Sequence, residues 1–193
     1  MLPEDTYSSL AVGAAFVLPD SNVSSPLMDY ERGGVAINDP SQGLDVQDWR
    51  CYLAPNRVDV MLQPGASPAV MVFSQAGIDA LSFTFDQNMR PCVAYAVGEN
   101  CYLRWFDSVP GEYVTTPFVG VRNPRVALDD KRITQFASNS DIIFAYIRGD
   151  SLYYRQQRDR FTIERLLRSG ISPNLRLKNI GMSHVLRMQF ELA

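Results

Sequence analysis

The segment Ala94-Tyr95-Ala96-Val97-Gly98-Glu99-Asn100-Cys101-Tyr102-Leu103-Arg104 returns 51 residues later as Ala145-Tyr146-Ile147-Arg148-Gly149-Asp150-Ser151-Leu152-Tyr153-Tyr154-Arg155. Five of the eleven positions are identical, Glu99 and Asp150 match in charge, and Asn100 and Ser151 both favour turns. Phe85 and Asn88 recur at the same offset as Phe136 and Asn139. A weaker third copy precedes these, with Asn56-Arg57-Val58-Asp59-Val60 in the hairpin position and Phe73 answering Phe118. Each copy reads as strand, tight turn, strand. The turns Gly98-Glu99-Asn100 and Gly149-Asp150-Ser151 fit two-residue hairpin chemistry, in which glycine supplies the positive φ that strand twist requires. Beyond the second turn the side chains alternate, Leu152 and Tyr154 to one face, Tyr153 and Arg155 to the other.

A period near 50 with about four short strands per unit is the signature of blade-like β-repeats. The spacing predicts an all-β fold of antiparallel units, two of them clear and a third weaker, over residues 49–193. Further runs support it: Val58–Leu62, Ala69–Phe73, Leu81–Phe85, Cys92–Val97, Cys101–Phe106 and Tyr113–Thr116 are rich in β-branched and aromatic residues and bounded by turn formers. Propellers close with about four to eight blades, so three units cannot complete a ring. Either the units form an open β layer, or subunits complete one another through exposed sheet edges.

Residues 1–48 differ in texture. Pro19-Asp20-Ser21-Asn22 and Asn38-Asp39-Pro40-Ser41-Gln42-Gly43 read as turns and extended chain, giving an acidic N-terminal arm that gains order by docking. The apolar run Leu10–Leu18 follows Glu4 and Asp5 rather than basic residues, so it is expected to be a strand or arm and not a secretion signal. Charge is segregated: residues 1–48 hold eight acids against Arg32, whereas residues 148–193 hold nine bases against four acids. The total of −3 hides this contrast, which suits chains packing end to end. Sixteen of the 18 basic residues are arginine, with only Lys131 and Lys178, a bias toward contact-making cations.

Catalytic and metal-binding patterns are missing from the sequence. Cys51, Cys92 and Cys101 have neither disulfide nor zinc spacing and read as small buried residues. His184 is the lone histidine, with no nucleophile signature beside it, which excludes a multi-histidine metal site. Neither GxxxxGK[ST] nor GxGxxG occurs. Asp129-Asp130, Asp45 with Asp48, and Glu4-Asp5 read as solvated loop acids. Asn22-Val23-Ser24 is a formal glycosylation sequon only. Arg155, Arg158 and Arg160 beside Tyr153 and Tyr154 are expected to serve packing and inter-subunit pairing rather than nucleic acid. No apolar run approaches the 18 residues of a spanning helix. No enzyme activity, cofactor, metal, membrane or sequence-specific nucleic-acid partner is expected.

The C-terminal third holds an ambiguity. Phe161–Gly170 fits a short helix capped by Gly170, whereas the repeat places Phe161–Glu164 in a unit's third strand, and the longer-ranged repeat is preferred. Leu186–Leu192 alternates strictly as a half-buried strand.

Gly33–Leu44 followed by Trp49, then Phe85-Asp86-Gln87-Asn88, then Gly149-Asp150-Ser151-Leu152-Tyr153-Tyr154-Arg155-Gln156-Gln157-Arg158-Asp159-Arg160-Phe161, resembles structural proteins of tailed-bacteriophage virions. The likeness is to tail and neck components with short β-propeller-like repeats and covers about residues 33–168. It implies a non-enzymatic subunit present in several copies in the virion tail, made in the host cytoplasm, contacting itself and other tail or neck proteins. The alternative is a carbohydrate-binding β module recognising a cell surface, with Trp49, Trp105 and Tyr153 as stacking platforms.

Overall fold

A computed structural model describes residues 15–16, 31–37, 46–64, 67–86, 88, 90–128, 141–182 and 188–193. Within them the fold is all-β and antiparallel, arranged in four sheets that follow one another along the chain. The first sheet joins β1 (Ala15–Phe16), β2 (Glu31–Ile37), β3 (Val46–Leu53), β4 (Asp59–Pro64) and β5 (Val70–Ser74) in sequence order. The second is a meander of β6 (Ile78–Phe85), β7 (Pro91–Val97), β8 (Asn100–Asp107) and β9 (Glu112–Val119). The third repeats that meander with β10 (Arg122–Leu128), β11 (Ile142–Arg148), β12 (Ser151–Gln156) and β13 (Arg165–Arg168). The fourth is the hairpin of β14 (Leu177–Met182) and β15 (Met188–Leu192).

The two clear repeat copies are the β7–β8 and β11–β12 hairpins, and the weaker copy falls on the β3–β4 turn and the start of β4. Val97 pairs with Asn100 and Arg148 with Ser151, leaving two-residue turns in which Gly98 (φ 59°) and Gly149 (φ 57°) take the positive dihedral at the first position. That is the type II′ pattern, whose twist matches the flanking strands. First strands of successive sheets adjoin, β2 beside β6, β6 beside β10 and β10 beside β14.

Stacking sheets this way buries the middle ones on both faces, so each alternating strand feeds two cores. On β11, Ile142, Phe144 and Tyr146 enter the core shared with the second sheet, and Ile143, Ala145 and Ile147 the core shared with the fourth. On β7, Val93 and Tyr95 face the first sheet, and Cys92, Ala94 and Ala96 face the third. Near-continuous apolar runs in an antiparallel sheet follow from this two-sided burial. All three cysteines are free and buried. Burial pushes the Cys101 thiol up to about 12, which suits packing rather than chemistry.

Three particulars differ from the sequence reading, and the terminal strand agrees with it. The boundary expected at 48/49 falls inside β3, and residues 31–37, read as arm, pair along β3; the Gly33-Gly34 step concealed a strand that its neighbour defines. Phe161–Glu164 is not a third strand: Arg160 (φ 53°) and Phe161 (φ 58°) are left-handed, turning the chain after a 3-10 turn at Gln157–Asp159. The strand follows at Arg165–Arg168, in fourth place. The expected terminal strand begins at Met188 within the described residues, with alternating burial. Arg158 and Arg160 pair within the chain rather than between subunits, Arg158 with Asp141 at 2.6 Å and Arg160 with Asp107, linking the third sheet to the second. His184, Asp129-Asp130, the Phe136 and Asn139 copies and most of residues 1–45 lie outside the described residues.

Around Gly149 nothing lies within 4 Å of where a Cβ would sit, so substitution there meets only backbone strain. Gly149→Ala is expected to cost about 1–2 kcal/mol and Gly149→Asn distinctly less. Equilibrium denaturation measures both, and equal stability of Gly149→Ala with the parent would mean that the turn is misassigned.

Candidate functional site

The repeat places one set of side chains at two successive sheet interfaces. Phe73 on β5 packs on Tyr95 of β7 (ring centroids 5.1 Å), and Phe118 on β9 packs on Tyr146 of β11 (5.8 Å). Each tyrosine stacks on its ladder partner one strand further out, Tyr95 on Tyr102 at 5.2 Å and Tyr146 on Tyr153 at 6.3 Å. Above each phenylalanine lies the repeat arginine, Arg104 at 5.5 Å from the Phe73 ring and Arg155 at 5.3 Å from that of Phe118. Aromatic pairs and cation–π contacts of this kind contribute about 0.5–2 kcal/mol each.

The two sets then diverge. Arg155 is saturated: its Nε donates to the Tyr146 hydroxyl at 2.7 Å, and Nη1 donates to the Phe161 and Thr162 carbonyls, both at 2.8 Å. Glu164 completes the cluster, 3.5 Å from Arg155 and 2.8 Å from Arg148, and accepts the Tyr146 hydroxyl proton. Burial is the main reason the Tyr146 phenol is pushed up to about 12; hydrogen bonding to Glu164 adds to this, and Arg155 opposes it.

Among the described residues no acid pairs with Arg104. The ladder residue opposite it is Thr115, and Tyr113, two positions along, is 51 residues before Glu164. Arg104 lies between the rings of Phe73 and Tyr113, 5.4 Å from the latter, and its Nε is buried without a hydrogen-bond partner. Asp86, in the same quarter, is occupied: it pairs with Arg90 at 2.7 Å and accepts the backbone N–H groups of Asn88 and Arg90.

Beside Arg104 a cavity of about 310 Å³ opens between the first two sheets. Its apolar wall comes from Leu62, Pro64, Val70, Met71, Val72 and Pro91, and Trp49, Arg104 and Tyr113 complete the lining. The indole N–H of Trp49 is also buried without an acceptor. Both orphan nitrogens lie behind the cavity wall rather than on it, and it is the rest of the Arg104 guanidinium that gives this apolar cavity a cationic group and marks it as a candidate binding site. The sequence singled out Trp49; Arg104 stood in the repeat motif, and nothing local in the sequence revealed that its counterpart has an acid and it does not.

The other expected platforms are placed differently. Trp105 is buried at 4% exposure, edge-on to Phe161, with its indole N–H donating to Thr116. Tyr153 is half-buried, stacked on Tyr146 with Arg148 over its ring. Among the described residues no three His, Cys, Asp or Glu side chains converge to hold a metal, and no helix is long and apolar enough to cross a membrane. No protein-family model, curated protein or solved structure matches the chain.

The raised Tyr146 value fixes a sign. Below pH 10 the phenol is protonated folded and unfolded, and its contribution is complete; above 10 the unfolded chain loses the proton first, so stability falls until about 12. Denaturant melts between pH 9 and 12 are expected to show that loss, made shallower by Tyr146→Phe. An unchanged slope would remove Tyr146 from the account. At neutral pH, Glu164→Gln is expected to cost about 1 kcal/mol or more, since two arginines lose their shared acceptor.

Proposed function

We propose that this chain is a structural subunit of a phage tail or neck, acting in several copies and joining its neighbours through sheet edges. One observation carries the assembly reading. Three consecutive four-stranded meanders, the first extended by β1, are followed by a two-stranded hairpin, and within the described residues β15 has a strand on one side only. Treated as blades, these are too few to close a propeller, and an open edge invites a further strand. Exposed apolar residues on the outer strands, Val70 and Met71 on β5, Val119 on β9 and Leu166 on β13, fit a surface that neighbours cover.

The virion placement is supported by the motif likeness over residues 33–168 alone, and the host-cytoplasmic synthesis and tail location follow from it. The pairing of Arg155, Arg158 and Arg160 with acids of the same chain supports reading them as packing residues. The glycan-binding alternative retains Trp49 but loses Trp105, whose burial leaves no ring face for a sugar.

Light scattering on the purified full chain tests the assembly reading: a multiple of the chain mass is expected, and a monomer at every concentration would refute it. An electron-density map of a particle carrying the protein, showing it outside the tail and neck, would refute the placement.

A further inference from the structure

We infer that the cavity between the first two sheets is a socket for an acidic side chain of another polypeptide, a glutamate or aspartate flanked by apolar residues, carried on a segment that lies along β5. The inference rests on the assembly reading for the nature of the partner and adds the chemistry of recognition.

The neighbouring interface supplies the template. There the repeat arginine receives a carboxylate from its own chain, Glu164, and the cluster closes. At the first interface the same Phe, Tyr, Tyr and Arg are present, the position of Glu164 is taken by Tyr113, no other acid among the described residues pairs with Arg104, and Tyr113 and Arg104 both line the cavity. The Arg104 guanidinium lines the cavity, and as Glu164 meets the terminal nitrogen of Arg155, a carboxylate entering here meets the terminal nitrogens of Arg104 in a charge-assisted hydrogen bond. Trp49 lines the same cavity, so its indole reports on what enters it. With six apolar residues forming the rest of the wall, the body attached to the carboxylate must itself be apolar. A sugar would leave its hydroxyls unpaired there.

The sheet edges say how the group arrives. The edge of β9 carries Pro117, and β13 is four residues long with arginine at both ends, two devices that discourage strand addition. The edge strand β5 has neither: it reads Val-Met-Val-Phe-Ser, and Val70 and Met71 are 65% and 56% exposed. Val70, Met71 and Val72 also line the cavity, so a strand added to β5 passes its mouth and presents alternate side chains to it.

The test is a nitrogen-15 NMR titration of the full chain with a blocked peptide, acetyl-Lys-Val-Phe-Glu-Val-Lys-amide, with its glutamine counterpart and with 3-phenylpropionate. The two indole N–H resonances separate the site from the fold, since Trp49 lines the cavity and Trp105 is bound to Thr116. The glutamate peptide is expected to move the Trp49 indole and the β5 amides while the Trp105 indole stays fixed, and to bind at least about tenfold more tightly than the glutamine peptide. Arg104→Gln is expected to erase that preference. Tyr113→Glu, which sets an internal carboxylate beside Arg104, is expected to abolish it as well, with folding of both variants checked by the unmoved Trp105 indole. Equal binding of the two peptides, no response at Trp49, or binding of 3-phenylpropionate as tight as that of the peptide would each overturn the assignment. Oligomer formation is read separately: a monomer that prefers the glutamate peptide keeps the socket and loses self-assembly, and an oligomer indifferent to the peptides does the reverse.

Discussion

Burial on both faces governs this molecule. The strands β6, β7, β10 and β11 of the second and third sheets are packed on both faces, so nearly every side chain on them must fit one of two neighbouring cores. Polar groups in that position need partners from the next sheet. Ser82, fully buried on β6, accepts the backbone N–H of Val126 on β10. Arg125, 4% exposed on β10, donates to the carbonyl of Lys178 on β14. Arg160 reaches Asp107 across 53 residues of sequence. Links of this kind fix the sheets' relative placement, which apolar contact alone leaves freer.

The repeated Phe, Tyr, Tyr and Arg set is the aromatic part of the same device, and its two versions differ in the ion pair beside it: Glu164 and Arg148 at the second interface correspond to Tyr113 and Val97 at the first. With Glu164 present, the interface is saturated and Phe161 can turn inward onto Trp105. With no acid paired to Arg104 among the described residues, the first interface has two orphan donors and a cavity. A repeat architecture makes such a vacancy legible, since each unit serves as the reference for the next.

Much of the fold was written locally. Alternation and β-branched runs located β4 to β9 to within a few residues, and Gly98 and Gly149 marked their turns because no other residue takes that dihedral as cheaply. Tyr95, Arg104 and their counterparts were visible as a repeat, but not as an inter-sheet contact, because that requires Phe73 and Phe118 from a preceding sheet. The strand at residues 31–37 was hidden by its glycines. The internal pairing of Arg158 and Arg160 was hidden by distance, the acids lying 17 and 53 residues away. The candidate site was the least legible part, since it is defined by an absent partner and by the space between two sheets.

Native-state hydrogen exchange on β7 and β11 reads the central claim, that successive sheets stabilise one another through these interfaces, most directly. In the parent the slowest amides of both strands are expected to share one opening free energy. Phe118→Ala, at the second interface, is expected to lower both by a similar amount, about 3 kcal/mol or more. A variant in which β11 loosens while β7 keeps its protection, or the converse, would show sheets that fold independently and would contradict the account.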